Sequence, residues 1–197
     1  MTALSFPRRT PITSRALGAF AALTLLSVTA CSKDEPTEQA SAEPTDETLA
    51  TAISDADDLS VVASALGDSG LAQVFDGAGS YTIFAPNDAA FEALGETGAA
   101  LREPGQRAAM AAVLRDHIVP GYLTPTDIEA AIEAQGGSVK VETMGDHSLT
   151  FSKADSGIRV TSEDGSNAML TGDALKARNG VAIALDSVLK KVDAPAA

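Results

Sequence analysis

The chain has 197 residues, with 27 acidic side chains against 14 lysines and arginines, a formal charge of −13. A surface that acidic repels phosphate backbones and anionic head groups, which excludes nucleic acid as a charge-driven partner. A single cysteine, six phenylalanines, two tyrosines and no tryptophan exclude an internal disulfide and leave the core to Val, Leu, Ile and Ala, with Phe75, Phe84, Phe91 and Phe151 as large fillers.

Arg8, Arg9 and Arg15 precede an apolar run, Ala16 to Ala30 (ALGAFAALTLLSVTA). A bilayer-spanning helix needs about 20 apolar residues, so this shorter run reads as a secretory signal peptide, residues 1–30. Arg8-Arg9 resembles a twin-arginine signal, but the flanking Pro7, Thr10 and Pro11 fit that motif poorly. The run ends Val28-Thr29-Ala30-Cys31, which resembles a bacterial lipobox. In that reading Cys31 carries diacylglycerol through a thioether, and cleavage between Ala30 and Cys31 makes Cys31 the new N-terminus. A lone cysteine in an exported chain calls for a use, and lipid attachment supplies one. The alternative is an ordinary signal peptide cut after Ala30, with a free thiol. Ser32 follows the cysteine and, in a diderm source, directs such lipoproteins to the outer membrane. Loss of the leader removes three arginines and no acid, so residues 31–197 keep 11 basic and 27 acidic residues, a formal −16.

Residues 31–46 are acidic and carry Pro36 and Pro44 but no large apolar side chain. Such a stretch buries too little surface to order itself and reads as a tether. Folded structure is expected over 47–192, with 193–197 as a tail. Leu49, Ile53 and Leu59–Leu66 have helical spacing, interrupted at Gly67 and Gly70. A short helix at Leu71–Phe75 and a turn at residues 77–79 lead into a strand, Tyr81–Ala85. Pro86 stops that strand and Asn87 caps a helix, Asp88–Leu94. Arg107–Asp116 reads as a strong helix and His117–Val119 as extended, ended by Pro120-Gly121. Thr124-Pro125 opens a helix over Pro125–Ala134, terminated by Gly136-Gly137. The period then falls to two. Val139–Thr143, Ser148–Ser152 and Ile158–Thr161 are expected strands separated by Gly- and Asp-rich turns. Val181–Leu189 is nearly all apolar and is expected inside a sheet. Helices followed by a strand-rich half predict an α+β fold in a single domain of about 145 residues, enough for one core.

Motifs of catalysis are missing. Only His117 and His147 are histidines, and with Cys31 lipidated no His/Cys metal site of the usual kind assembles. There is no Gly-x-Ser-x-Gly elbow and no phosphate loop. Gly67-Asp68-Ser69-Gly70 is similar to the nucleophile loop of trypsin-like proteases but sits between two expected helices, where it links them. Asp55, Asp57 and Asp58 fall short of the six or more converging oxygens calcium takes. No cofactor, metal or catalytic residue is expected, and the chain is read as no enzyme.

Three separated segments carry a resemblance: Tyr81–Leu94 (YTIFAPNDAAFEAL), Leu114–Gly121 (LRDHIVPG) and Asn179–Lys190 (NGVAIALDSVLK). In that order and spacing they resemble the signature of the fasciclin domain, over roughly Glu47 to Lys191. The motif residues are Phe84, Pro86, Asn87, Phe91, His117, Pro120, Gly121, Asn179, Gly180 and Asp186. The resemblance implies a compact α+β wedge, a sandwich of strands with helices over one side, and a role as an extracellular adhesion or matrix-binding module. Two positions depart from the family's pattern. Asp116 stands where many members have an aromatic residue before the histidine, a pair linked to adhesion. Ile183 stands where the last motif commonly has a histidine. His117 therefore has two open readings, a buried imidazole bonded to backbone or a ligand contact; Asn179 and Asp186 read as turn and network residues. Asn179-Gly180 is expected to form a tight turn with positive φ. The functional expectation is a membrane-anchored extracytoplasmic module that binds a surface protein or polysaccharide, and no nucleic acid. The alternative is a small-ligand carrier, enzyme or scaffold of the envelope.

Overall fold

The computed structural model describes residues 43–77 and 79–191. Cys31, the Ala30 cleavage site and the 193–197 tail lie outside them. Among the described residues seven helices, seven strands and one 3-10 turn make an α+β domain. The helices are α1 (Leu49–Ser54), α2 (Ser60–Asp68), α3 (Ala72–Phe75), α4 (Asp88–Ala93), α5 (Glu96–Leu101), α6 (Arg107–Asp116) and α7 (Pro125–Ala134). The strands are β1 (Tyr81–Pro86), β2 (Ile118–Pro120), β3 (Ser138–Glu142), β4 (Ser148–Ala154), β5 (Gly157–Ser162), β6 (Asn167–Ala177) and β7 (Gly180–Leu185).

The strands run in the order β2-β1-β7-β6-β5-β4-β3. Every pair is antiparallel except β1 with β7, which lie parallel from Tyr81 opposite Gly180 to Pro86 opposite Leu185. Strands buried on both faces lose the polar–apolar alternation, and the two faces here meet different cores. Ile83, Ala85 and Ala182 face a core shared with α1–α6, among them Leu49, Ile53, Phe75, Phe91 and Leu114. Phe84, Val181, Ile183 and Leu185 face a second core with Phe151 and Val160 of the meander. Phe75, Phe84, Phe91 and Phe151 are fully buried, and the rings of Phe84 and Phe151 meet at a 43° tilt with centroids 4.8 Å apart. Ile128 and Ile132 place α7 on the second core, so the helices do not all cover one side.

β6 was not expected, yet it is the longest strand. Its first residues, Asn167–Met169, pair with β5; from Leu170 on it pairs with β7, with an irregularity between Thr171 and Leu175. That change of partner bends the sheet so that its halves enclose the second core. The chain enters beside the far end of β6: the Thr45 N–H donates to the Lys176 carbonyl at 2.9 Å, and the Arg178 N–H donates to the Glu47 carbonyl at 3.0 Å.

Local chemistry explains most helix ends. Asn87 accepts from the Ala90 N–H at 2.8 Å, and Thr124 and Asp127 form a capping box at α7. α2 runs on through Gly67 to Asp68 and stops before Gly70, which has φ +73°. Its N-terminus has no cap of its own. Asp88 supplies one from α4, accepting the Val61 N–H at 2.9 Å and the Ser60 hydroxyl at 2.6 Å. Partial burial pushes the Asp88 carboxyl up, but the hydrogen bonds from Ser60 and Val61, with Arg102 nearby, hold it below the ordinary carboxylate range. A depressed carboxyl contributes stability above its unfolded pKa and loses it as pH falls through the folded value. Asp88→Ala is expected to destabilise the domain by about 1–2 kcal/mol at neutral pH, as loss of a helix cap does. Urea denaturation tests this, and an unchanged midpoint refutes the shared cap.

Candidate functional site

The three motif segments meet around β1. The first supplies β1 and α4, the second pairs as β2 against β1, and the third forms β7 on its other edge. Pro86 ends β1 in a buried position, and the Asn87 N–H donates to the Leu185 carbonyl at 3.0 Å, which closes the parallel pair. Phe91 turns back from α4 into the helical core. Pro120 is exposed and Gly121 has φ +115°. That loop is tied by Thr82, whose buried hydroxyl donates to the Gly121 carbonyl and accepts the Leu123 N–H, both at 2.8 Å.

His117 lies at the C-terminal end of α6 and is fully buried. Its Nδ1 lies 2.7 Å from the Val113 carbonyl, and its Nε2 accepts the Leu189 N–H at 2.9 Å. These partners assign the neutral Nδ1–H tautomer, because a carbonyl requires a donor and an N–H requires an acceptor. Burial lowers its pKa to about 4. The imidazole is thus a bolt between α6 and the chain after β7, with no free nitrogen to contact a ligand.

Asp116 makes a second bolt beside it. Its carboxylate is buried, with Oδ1 accepting from His147 Nδ1 at 2.9 Å and Oδ2 from Lys190 Nζ at 2.6 Å. Any side chain at Gly145 would run into that carboxylate. The residue that replaces the family's aromatic therefore joins α6, the β3–β4 turn and the C-terminal segment. A charged residue beside the motif histidine was the sequence signal for it; its partners were not visible there.

Asn179 and Gly180 do related work at the other end of β7. Asn179 accepts the Leu49 N–H at 2.9 Å and donates through Nδ2 to the Phe75 carbonyl. It thus satisfies backbone groups at the start of α1 and the end of α3. Gly180 does not have the expected positive φ. Glycine is required there because a Cβ would strike the Tyr81 carbonyl and Leu49 Cδ2. Arg178 and Asn179 form the turn, with Ala177 paired to Gly180. Asp186 is exposed and holds the sheet where β6 changes partner: Oδ1 accepts the Met169 N–H at 2.8 Å, and its own N–H donates to the Met169 carbonyl at 3.2 Å. Ile183 is buried in the second core. Among the described residues no three His, Cys, Asp or Glu side chains are placed to hold a metal ion, and no helix is long and apolar enough to cross a membrane.

The fasciclin domain family model matches residues 57–191, more than half of the chain. The chain belongs to the fasciclin family. Among solved structures it is similar to the FAS1 domain pair of the insect cell adhesion molecule fasciclin I, with a TM-score of 0.65 and 15% identity. That match covers 75% of this chain and 52% of the other, so this fasciclin chain spans about half the length of that pair. At such identity the likeness concerns fold alone. No curated protein matches the chain.

Two outcomes follow from these contacts. Asn179→Ala leaves a buried N–H and carbonyl unpaired and is expected to cost about 3 kcal/mol, measured as a shift in the urea midpoint; a loss below about 1 kcal/mol contradicts the role given to Asn179. For His117 the folded pKa lies below the unfolded 6.5, so only the unfolded chain gains a proton between pH 6.5 and about 4. Stability is therefore full above pH 6.5 and falls through that window by roughly 3 kcal/mol. His117→Gln, which cannot be protonated, should flatten that part of the pH–stability curve. An identical slope in both proteins refutes the assignment.

Proposed function

We propose that the chain is a lipid-anchored, extracytoplasmic fasciclin module that binds a surface or matrix protein or glycan, without catalysis of its own. Membership of the fasciclin family supports a binding or adhesion role in general. The observation that carries the reading is the use of the buried polar groups: His117, Asp116 and Asn179 are spent on the fold's own hydrogen bonds. A general base needs a nitrogen or oxygen within reach of substrate, and His117 offers none. What remains for recognition is exposed backbone and side chain, of which the Pro120 loop and Asp186 are the motif's exposed parts. The apolar leader and the Val28–Cys31 sequence support lipid attachment at Cys31 and display outside the cytoplasm, on the outer membrane of a diderm source. The formal −16 of residues 31–197 supports partners other than nucleic acid.

The anchor and the binding are separately testable. In the native host, Cys31→Ala is expected to move the protein from the membrane to the soluble fraction and to abolish incorporation of labelled fatty acid; persistence of the label refutes attachment at Cys31. Residues 31–197 with Cys31→Ser are expected to bind intact cells, matrix proteins or envelope polysaccharide saturably. Pro120→Glu should weaken that binding at least tenfold at unchanged melting temperature. Absence of saturable binding to all three targets overturns the adhesive reading.

A further inference from the structure

A cleft of about 300 Å³ lies between α2 and the segment that joins α5 to α6, away from the motif junction. On α2 and its C-cap, Ser69, its wall consists of Ser60, Val61, Ser64, Ala65, Asp68 and Ser69, pairs recurring every four residues. That spacing is one face of the helix over its whole length, about 13 Å at 1.5 Å per residue. The cleft is therefore elongated. Its apolar floor is Val61 and Ala65 on one side and Leu101 and Met110 on the other, side chains that also pack in the helical core. Its volume stands at the low end of the range for small-molecule sites.

The opposite wall includes two arginines, Arg102 and Arg107. Arg102 caps the C-terminus of α5, and Arg107 is the first residue of α6. Both are exposed, and the ion pairs found among the described residues use Lys140, His147, Lys153 and Lys190, not these arginines. No acidic residue stands in the first turn of α6. A planar guanidinium matches a carboxylate through two parallel hydrogen bonds. Asp68 and Glu103 also line the cleft, so its formal charge is zero within a strongly acidic domain. Because those acids offset the arginines, the head group is set by the paired hydrogen bonds that a planar carboxylate accepts and not by net charge.

We propose that this cleft binds a small amphiphilic monocarboxylate, an elongated apolar body along α2 with its carboxylate between Arg102 and Arg107. The site is independent of the adhesive reading and of the motif loops. Decanoate is the probe, titrated into residues 31–197 with Cys31→Ser; both cores close within residues 43–191, so this chain retains the whole described fold. Saturable binding below about 1 mM is expected, as ligand efficiency allows for a ligand of this size, read by calorimetry or by amide shifts confined to α2, α5 and α6. Arg107→Ala, which leaves Arg102 beside Asp88, should weaken it at least tenfold while melting as the parent does, since the Arg107 side chain is exposed. Ser64→Trp, which fills the groove with both arginines intact, should abolish it. Three results overturn the proposal: no saturation by several millimolar, equal binding of decanol or decyltrimethylammonium, or affinity unchanged in the arginine variant. Tighter binding of decyl phosphate than of decanoate overturns the assignment of a carboxylate head group.

Discussion

β1 and β7 are separated by almost a hundred residues in the chain and lie in parallel register at the centre of the fold, each buried on both faces. Parallel pairing offers no hairpin to bring the strands together, so the intervening chain must return one edge to the other. Its α4–α6 join α1–α3 in one core, and its α7 and meander build the other. The end groups of this pair have little freedom. At one end Gly180 admits the Tyr81 backbone, and at the other Asn87 closes on Leu185. The motif residues cluster at these ends because they are where a side chain is needed to end a strand, turn the chain or satisfy a buried backbone group.

The polar groups that look most like chemistry are the ones most deeply committed to architecture. His117 and Asp116 are neighbours in sequence but face different partners. One holds the backbone of Leu189; the other holds the side chains of His147 and Lys190. Together they fasten the segment after β7, which has no sheet partner, to the end of α6. Lys191 adds a third point, its N–H donating to Asp164 at 2.6 Å. The same burial that takes His117 and Asp116 out of solvent gives the C-terminal segment a defined path.

Much of this was legible in the sequence. Caps at Asn87 and Thr124, the stop at Pro86 and the period change after Gly137 each follow from a local rule, and the structure places them as expected; the apolar run expected as a strand over Val181–Leu189 is strand only to Leu185, after which Val188 and Leu189 are buried outside the sheet. β6 was not legible because its pattern serves two partners in turn, and Thr171-Gly172-Asp173 breaks the alternation where the partner changes. α5 was missed because it is short, has no side-chain cap and contains Gly98, whose missing Cβ admits the Phe91 carbonyl. Asp88 read only as the first residue of a helix, since its bonds to Ser60 and Val61 span 28 and 27 residues. The α2 cleft is likewise a property of two distant segments, and nothing in either alone announces it.

The backbone bonds of Thr45 and Glu47 to β6 bear on how the domain carries mechanical load. Tension that reaches the fold through the N-terminal chain meets Lys176 and Arg178 before it meets α1. Force is thereby passed sideways into the longest strand and spread across its pairing with β7, instead of peeling a terminal helix from the core. Load that enters by that route thus grips the domain through its sheet.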